Sequence, residues 1–231
     1  MVKVAPDEAA VYLTALVRNE HQPGSTRLEA VMVASKHVTL KQLVDLYEVL
    51  VRSTSMTAEN RLVAAEKAMA VDRTAGKDMV ASFAKDRRID VKFRMSAAAA
   101  LGRAKFSQAE FEAYASISDD PNVPGLNRVF AAKKAQRAKM FAGGHVLRKL
   151  VHAGLDGEAR LALARALDQR DAVLVLEKLV DDPNEGSTLR MEAAKYLMRL
   201  DAKAGKRAMG RLAEDTKLSS SLRNQARMAA R

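Results

Sequence analysis

Apolar residues recur along this chain with the three- to four-residue spacing of amphipathic α-helices. The clearest stretch spans residues 190–223, where an arginine opens one apolar helical pattern and a second pattern follows it before an aspartate-containing turn. The two-residue alternation typical of strands is not sustained anywhere in the first half of the chain. The pattern therefore predicts an all-α protein.

The arginine that opens this stretch belongs to a series. An arginine followed by an alanine-rich apolar helix start occurs at Arg27, Arg61, Arg94, Arg128, Arg160, Arg190 and Arg223. Successive members are 34, 33, 34, 32, 30 and 33 residues apart. A period held this closely indicates supersecondary units stacked in an array. We therefore predict an α-solenoid of about seven antiparallel helix pairs, forming a single domain over residues 1–231.

The same pattern gives approximate helix boundaries and turns. We predict helices at 5–20, 157–168, 171–180, 188–200, 204–214 and 219–230, with Thr39 capping the helix that follows it. Gly143 and Gly144 are expected to interrupt two helices, since glycine disfavours a helix interior. The loop at 119–127 contains two prolines and a glycine, but the repeat continues beyond it. We therefore predict no domain boundary there.

The helical register separates the arginines from a second surface. With the arginine as position 1 and about 100° per residue, positions 1, 4, 5 and 8 share one side, and positions 3, 6 and 10 lie opposite. The arginines should thus face neighbouring units and bridge carbonyls or turn carboxylates, a role that suits a guanidinium. Aspartates stand eight residues before four of the later arginines, at Asp86, Asp120, Asp182 and Asp215.

This arrangement resembles the HEAT-repeat family, whose units are two antiparallel helices with an aspartate in the turn and a basic residue opening the second helix. The resemblance covers essentially the whole chain. The spacing from aspartate to arginine is longer than in the usual pattern, and Asn19 and Ser53 replace the aspartate in the first two copies. The resemblance implies a solenoid whose second helices line the concave surface.

Composition removes several kinds of chemistry. The chain has no cysteine, which excludes disulfides, thiolate metal sites and thiol nucleophiles. The four histidines are isolated, and no phosphate-binding glycine loop, HExxH or GxSxG motif is present. We therefore expect a protein that is not an enzyme and needs no cofactor or metal ion. The N-terminal segment carries Asp7 and Glu8 and lacks a signal pattern, so we expect a cytoplasmic protein without membrane association.

A weaker resemblance leaves one enzyme class as a possibility. Alkylpurine DNA glycosylases built from HEAT-like repeats are similar to this chain in architecture, basic charge and length. That resemblance implies a lesion site in which aromatic residues, chiefly tryptophan, surround a catalytic aspartate. The chain has no tryptophan, so no site residue carries over from these enzymes.

Charge points to a polyanionic partner. The chain carries 39 basic and 28 acidic residues, a net charge of +11. The excess is uneven, with 17 basic and 14 acidic groups in residues 1–115 but 22 and 14 in residues 116–231, and no acidic residue in 121–155. Such a balance favours nucleic acid as partner, with duplex DNA as the leading candidate. A scaffold for an acidic protein is the alternative, and a solvated basic surface without a partner is the third interpretation.

The register, rather than the count of charges, selects the candidate binding residues. Positions 3, 6 and 10 are nearly neutral in the first three copies and become basic afterwards. If the second helices stack side by side, their cations form one basic track on the concave surface. The predicted nucleic-acid-binding residues are Arg103, Lys133, Lys134, Arg137, Arg165, Lys195 and Arg199.

Overall fold

The computed structural model describes residues 6–231, and over this range the chain is built from α-helices and contains no strand. The prediction of an all-α protein is confirmed. None of the helices in the described range is long and apolar enough to cross a membrane. The fourteen helices of this range are α1 (Pro6–Arg18), α2 (Gly24–Ala34), α3 (Leu40–Arg52), α4 (Ala58–Val71), α5 (Arg73–Lys85), α6 (Val91–Arg103), α7 (Ser107–Ser118), α8 (Gly125–Ala138), α9 (Met140–Leu150), α10 (Gly157–Ala164), α11 (Gln169–Asp181), α12 (Ser187–Leu200), α13 (Ala202–Glu214) and α14 (Ser220–Ala230).

The chain divides into two compact units, Met1–Ile117 (the first unit) and Ser118–Arg231 (the second unit). Consecutive helices pack against each other, as repeating helix pairs require. In the first unit α2 also packs on α4 and α4 on α6, and in the second unit α8 packs on α10, α10 on α12 and α12 on α14. Each unit therefore has a layer of even-numbered helices and a layer of odd-numbered helices. The division lies beside the 119–127 loop, and a single domain over 1–231 stays a prediction.

The repeating arginines link the two layers within each unit. The Nε of Arg27 donates to the carbonyl of Val17 at 2.7 Å, and Arg190 donates in the same way to Val180 at 2.7 Å. Arg61, Arg94 and Arg128 make the same bond to the carbonyl ten residues earlier. These acceptors lie in the last turn of the preceding helix, where carbonyls lack an intrahelical partner. The prediction that the arginines bridge carbonyls is confirmed for these five, whereas the Nε of Arg160 has no hydrogen-bond partner in the described structure.

Several of these arginines also reach forward to the next turn. Arg190 pairs with Asp215 at 2.7 Å, and Arg160 pairs with Asp182 at 2.8 Å. Arg160 therefore holds the pKa of the Asp182 carboxyl below its ordinary value, mainly through its hydrogen bond. In the first unit Arg27 instead donates to the hydroxyl of Ser53 at 2.8 Å, so Ser53 occupies the place of the turn aspartate. The expected contact to a turn carboxylate is thus present at Arg160 and Arg190, and a serine replaces the carboxylate at Arg27.

The prediction that Gly143 and Gly144 interrupt helices is wrong. Both lie inside α9, and the break between α8 and α9 falls at Lys139. Gly143 is buried where α9 crosses α8 so closely that a Cβ would collide with the backbone of Gln136. Gly76 and Gly205 meet the backbones of α4 and α12 in the same way. Here glycine marks a close approach between helices rather than a helix end.

Other boundaries differ by a few residues. Thr39 caps α3, accepting a hydrogen bond from the amide of Gln42, as predicted. Predicted helix 5–20 is α1 in the described range and ends at Arg18, while α10 ends at Ala164 rather than near 168. Asp168 instead caps α11 by accepting from the amide of Asp171. Because an N-cap residue directly precedes the helix that it caps, Asp168 belongs to the start of α11. The predicted end of α10 at residue 168 was therefore too late.

Candidate functional site

The predicted register is reproduced in the even-numbered helices of the second unit. On α8, Lys133 and Arg137 are exposed, while Ala131, Ala132 and Ala135 are buried. Exposed cations occupy equivalent outward positions at the C-terminal end of α10, where Arg165 is the cap residue, and on α12. Since α8 packs on α10 and α10 on α12, these side chains belong to neighbouring helices of one layer. We call this group the basic face, and its members are Lys133, Lys134, Arg137, Arg165, Lys195 and Arg199.

Most of the charge on the basic face is not neutralised. Within the described range, Lys133, Arg137, Lys195 and Arg199 are all exposed and form no ion pair. Arg165 is different, because it pairs with Glu192 on α12. Four cations on two helices of this layer therefore remain available to an external anion.

Lys134 stands at the margin of this surface. It is partly buried, and its Nζ lies 5.3 Å from the centre of the Phe130 ring. A lysine over an aromatic ring is held by the ring's quadrupole, which fixes both side chains on the outer surface of α8. Lys134 therefore positions Phe130 as well as adding charge.

Several cations on the odd-numbered helices of the second unit are paired with carboxylates. Arg148 on α9 lies within ion-pair distance of Asp171, Arg207 pairs with Glu177, and Arg211 pairs with Asp181 at 2.8 Å. Lys149 pairs with Asp119 at 3.3 Å. In the described structure, the cations of this layer without an ion pair to a carboxylate side chain lie on α11 and α13, and they are Arg170, Lys178, Lys203 and Lys206. The basic segment 121–155 is thus neutralised on its odd-numbered helix by acidic residues from elsewhere in the chain.

Arg103, the remaining predicted binding residue, lies in the first unit as the last residue of α6. Its guanidinium pairs with Glu66 on α4 at 2.9 Å. Positions 3, 6 and 10 of the first three repeats carry two basic residues, Lys36 and Arg103, and two acidic residues, Glu29 and Glu66. Arg103 is therefore part of a balanced surface, and six of the seven predicted residues lie within the second unit.

Sequence reasoning missed the turn between α8 and α9. Met140 is 75% exposed and Phe141 is 91% exposed, the largest value among the large apolar side chains of the described range. Phe130, which was placed in the register without a role, is 51% exposed. Aligning the buried glycines of α5, α9 and α13 would have shown that Lys139 stands where Asp72 and Asp201 stand in other repeats.

The ends of the even-numbered helices in the second unit differ in charge. A cleft of about 570 Å³ at the N-terminal ends of α8, α10 and α12 is lined by Asp156, Glu158 and Glu185. Arg137 and Arg199 lie in the last turns of α8 and α12, away from these carboxylates. An anion is therefore favoured along the face and toward its C-terminal edge.

The described residues contain no cluster that could hold a metal ion. All four histidines are exposed, and no group of three or more potential metal ligands occurs in the described range. Comparisons of the chain with protein-family models, with curated proteins and with solved structures find no match. The geometry and charge of the basic face are therefore the features of the molecule that bear on its function.

Proposed function

We propose that this protein is a HEAT-like α-solenoid that binds nucleic acid without catalysing a reaction. The observation that carries the proposal is the set of exposed, unpaired cations on neighbouring even-numbered helices of the second unit. On the odd-numbered helices of that unit Arg148, Arg207 and Arg211 are each paired with a carboxylate. The unpaired cations of the basic face stand instead as two pairs, one on α8 and one on α12.

Phosphate contact is the chemistry that this face supports. Lys133 and Arg137 are one helical turn apart, about 6 Å along α8, and Lys195 and Arg199 repeat this spacing on α12. Arginine can bind phosphate through two parallel N–H groups, while lysine acts as a mobile point charge. Two such pairs on one layer allow a phosphate chain to be held at several points. Because none of the four faces an internal carboxylate, binding does not require an existing ion pair to break.

Salt dependence tests this proposal directly. Each neutralised phosphate contributes about −0.9 to the slope of log affinity against log salt for duplex DNA and about −0.7 for a single strand. The four unpaired cations therefore predict a slope between about −3 and −4. Fluorescence anisotropy with labelled oligonucleotides, titrated from low to physiological salt, measures it.

Three outcomes would contradict the proposal. Absence of binding at low salt would overturn it and would favour an acidic protein as the partner of the same face. Release of a base from alkylated DNA would show that the protein is an enzyme of the glycosylase class. A slope near zero with measurable affinity would mean that contacts other than phosphates hold the ligand.

A further inference from the structure

The turn between α8 and α9 departs from the same turn in other repeats. Asp72, Lys139 and Asp201 each end an even-numbered helix and begin the next odd-numbered one, with nearly the same extended backbone conformation. Each is followed four residues later by the buried glycine at the helix crossing. The three positions are therefore structurally equivalent, and only one of them carries a positive charge.

With a lysine at this turn, the following helix α9 has no side-chain N-cap. The Asp72 carboxylate accepts from the amides of Thr74 and Ala75, and the Asp201 carboxylate accepts from the amide of Ala204. Lys139 makes no capping hydrogen bond. An aspartate at an N-cap typically stabilises a helix by about 1 kcal/mol relative to a residue that cannot accept. Lys139 therefore lacks the stabilising cap that an aspartate would provide. Such departures from the most stabilising residue are common at functional positions.

Exposed aromatic residues flank the α8 cations along the chain, one on α8 and one at the start of α9. Phe141, 91% exposed, follows Arg137 by four residues, and Phe130, 51% exposed, precedes Arg137 by two helical turns. The equivalent residues after Asp72 and Asp201 are Thr74 and Lys203, both polar. An aromatic ring in water at the edge of a cationic surface has the composition of a platform for nucleic-acid bases.

We propose, on the basis of the function proposed above, that the basic face takes single-stranded nucleic acid, whose unpaired bases stack on Phe141 and Phe130. Lys133, Arg137 and Lys139 contact the phosphates between the stacked bases. A base inside a duplex has both faces covered by its neighbours, whereas a base in a single strand can present a face to a side chain. The substrate class is therefore a single strand rather than the duplex expected from charge alone.

A tryptophan reporter tests this stacking. The chain has no tryptophan, so Phe141→Trp introduces the only indole, whose emission is quenched when a base stacks on it. We expect quenching by an oligothymidylate and little change with a duplex of the same length. Tyr12→Trp, at a 67% exposed aromatic position in the first unit, is the matched control and should not be quenched. Equal quenching of both reporters, or none at saturating oligothymidylate, would overturn the proposal.

Affinities of alanine variants provide the second measurement. Phe141→Ala should weaken oligothymidylate binding roughly 5- to 100-fold, with an unchanged salt slope, because no phosphate contact is lost. Duplex affinity should change less than about twofold, and Met228→Ala, at a 75% exposed apolar residue of α14, should affect neither ligand. If wild type binds both ligands and Phe141→Ala weakens both equally, the single-strand assignment is wrong while nucleic-acid binding stands. If wild type binds neither ligand, both proposals fail.

Discussion

The two units of this protein share one mode of construction but expose different chemistry on their even-numbered helices. In both, arginines near the start of these helices reach back to a carbonyl in the last turn of the preceding helix. In the first unit the outward cation Arg103 is neutralised by Glu66. In the second unit Lys133, Arg137, Lys195 and Arg199 have no such partner in the described structure.

This difference separates the residues that maintain the repeat from the residues to which we assign the proposed function. The inward positions are constrained by packing, so alanine and arginine recur there in both units. The outward positions face solvent and can vary at little cost in stability. A change of a few outward side chains can therefore convert a neutral surface into a cationic one without altering the helix pairs.

The largest expected effect is the loss of binding when the basic face is reversed in charge. Lys133→Glu combined with Arg137→Glu replaces two attractive contacts by two repulsive ones, and we expect binding to be abolished while helicity is unchanged. Anisotropy titrations and circular dichroism check these two statements. The control is Lys41→Glu with Lys77→Glu, on odd-numbered helices of the first unit, which should have little effect. Equal losses in both double variants would show that net charge, rather than the basic face, produces the binding.

The next largest effect concerns the arginine contacts themselves. Arg190 is 6% exposed and pairs with Asp215, so Arg190→Met strands a carboxylate and should lower the free energy of unfolding by about 3 kcal/mol. Arg27 has only neutral acceptors, Val17 and the serine hydroxyls. Arg27→Met should therefore cost clearly less. Urea denaturation measures both, and a larger loss at Arg27 would contradict this account of the units.

The contribution of Arg190 to the free energy of unfolding should also depend on pH. The Lys217 amide and the Arg190 guanidinium lower the pKa of Asp215 below its ordinary value. A carboxyl whose pKa is lower in the folded state stabilises the fold above its unfolded pKa of about 4 and loses this contribution as pH falls through the folded value. The stability difference between wild type and Arg190→Met should therefore be constant near neutrality and shrink below about pH 4.

A gain of stability is expected where the first unit lacks its turn aspartate. Arg27 is fully buried, and its second terminal nitrogen has no hydrogen-bond acceptor in the described structure. Ser53 has nearly the same backbone conformation as Asp86 and Asp215 at the equivalent turns. The Ser53 hydroxyl also lies 3.5 Å from the Glu20 carboxylate, which would repel a carboxylate placed here. Ser53→Asp in a Glu20→Gln background should therefore place a carboxylate against Arg27 and raise the free energy of unfolding by about 1–2 kcal/mol.

The control for this substitution lies two residues away. Ser55 also accepts a hydrogen bond from Arg27 but is exposed, so Ser55→Asp should change the stability much less. Thermal denaturation of the two variants compares them. A loss of stability in Ser53→Asp would mean that the site has no room for a carboxylate and that the serine is required by packing.

The smallest expected effect is at the turn before α9. Lys139→Asp should restore an N-cap like those of Asp72 and Asp201 and raise stability by about 1 kcal/mol, while weakening nucleic-acid binding. The reciprocal change Asp201→Lys should lower stability by a similar amount and leave α9 unaffected. If Lys139→Asp gains stability with no loss of affinity, the lysine has no part in binding.

Much of the fold could be predicted because its determinants are local. The apolar period specifies helices, and the arginine series specifies the repeat, since five of these arginines bond a carbonyl only ten residues away. The role of Gly143 was misinterpreted because the constraint that requires a glycine comes from another helix, where the backbone of Gln136 leaves no space for a Cβ. The sequence shows the glycine but not its neighbour across the helix crossing.

For the candidate site too, some features follow from the sequence and others only from the tertiary structure. By itself the sequence determined which residues point outward, because a helix turns by a constant angle per residue. Only the tertiary structure decided which outward charges remain free, since Arg165 meets Glu192 and Arg148 meets Asp171 across more than 20 residues of chain. It also decided that Phe141 stays exposed at the turn. Electrostatic neutralisation and burial depend on distances between helices, and those distances are set by packing rather than by position in the sequence.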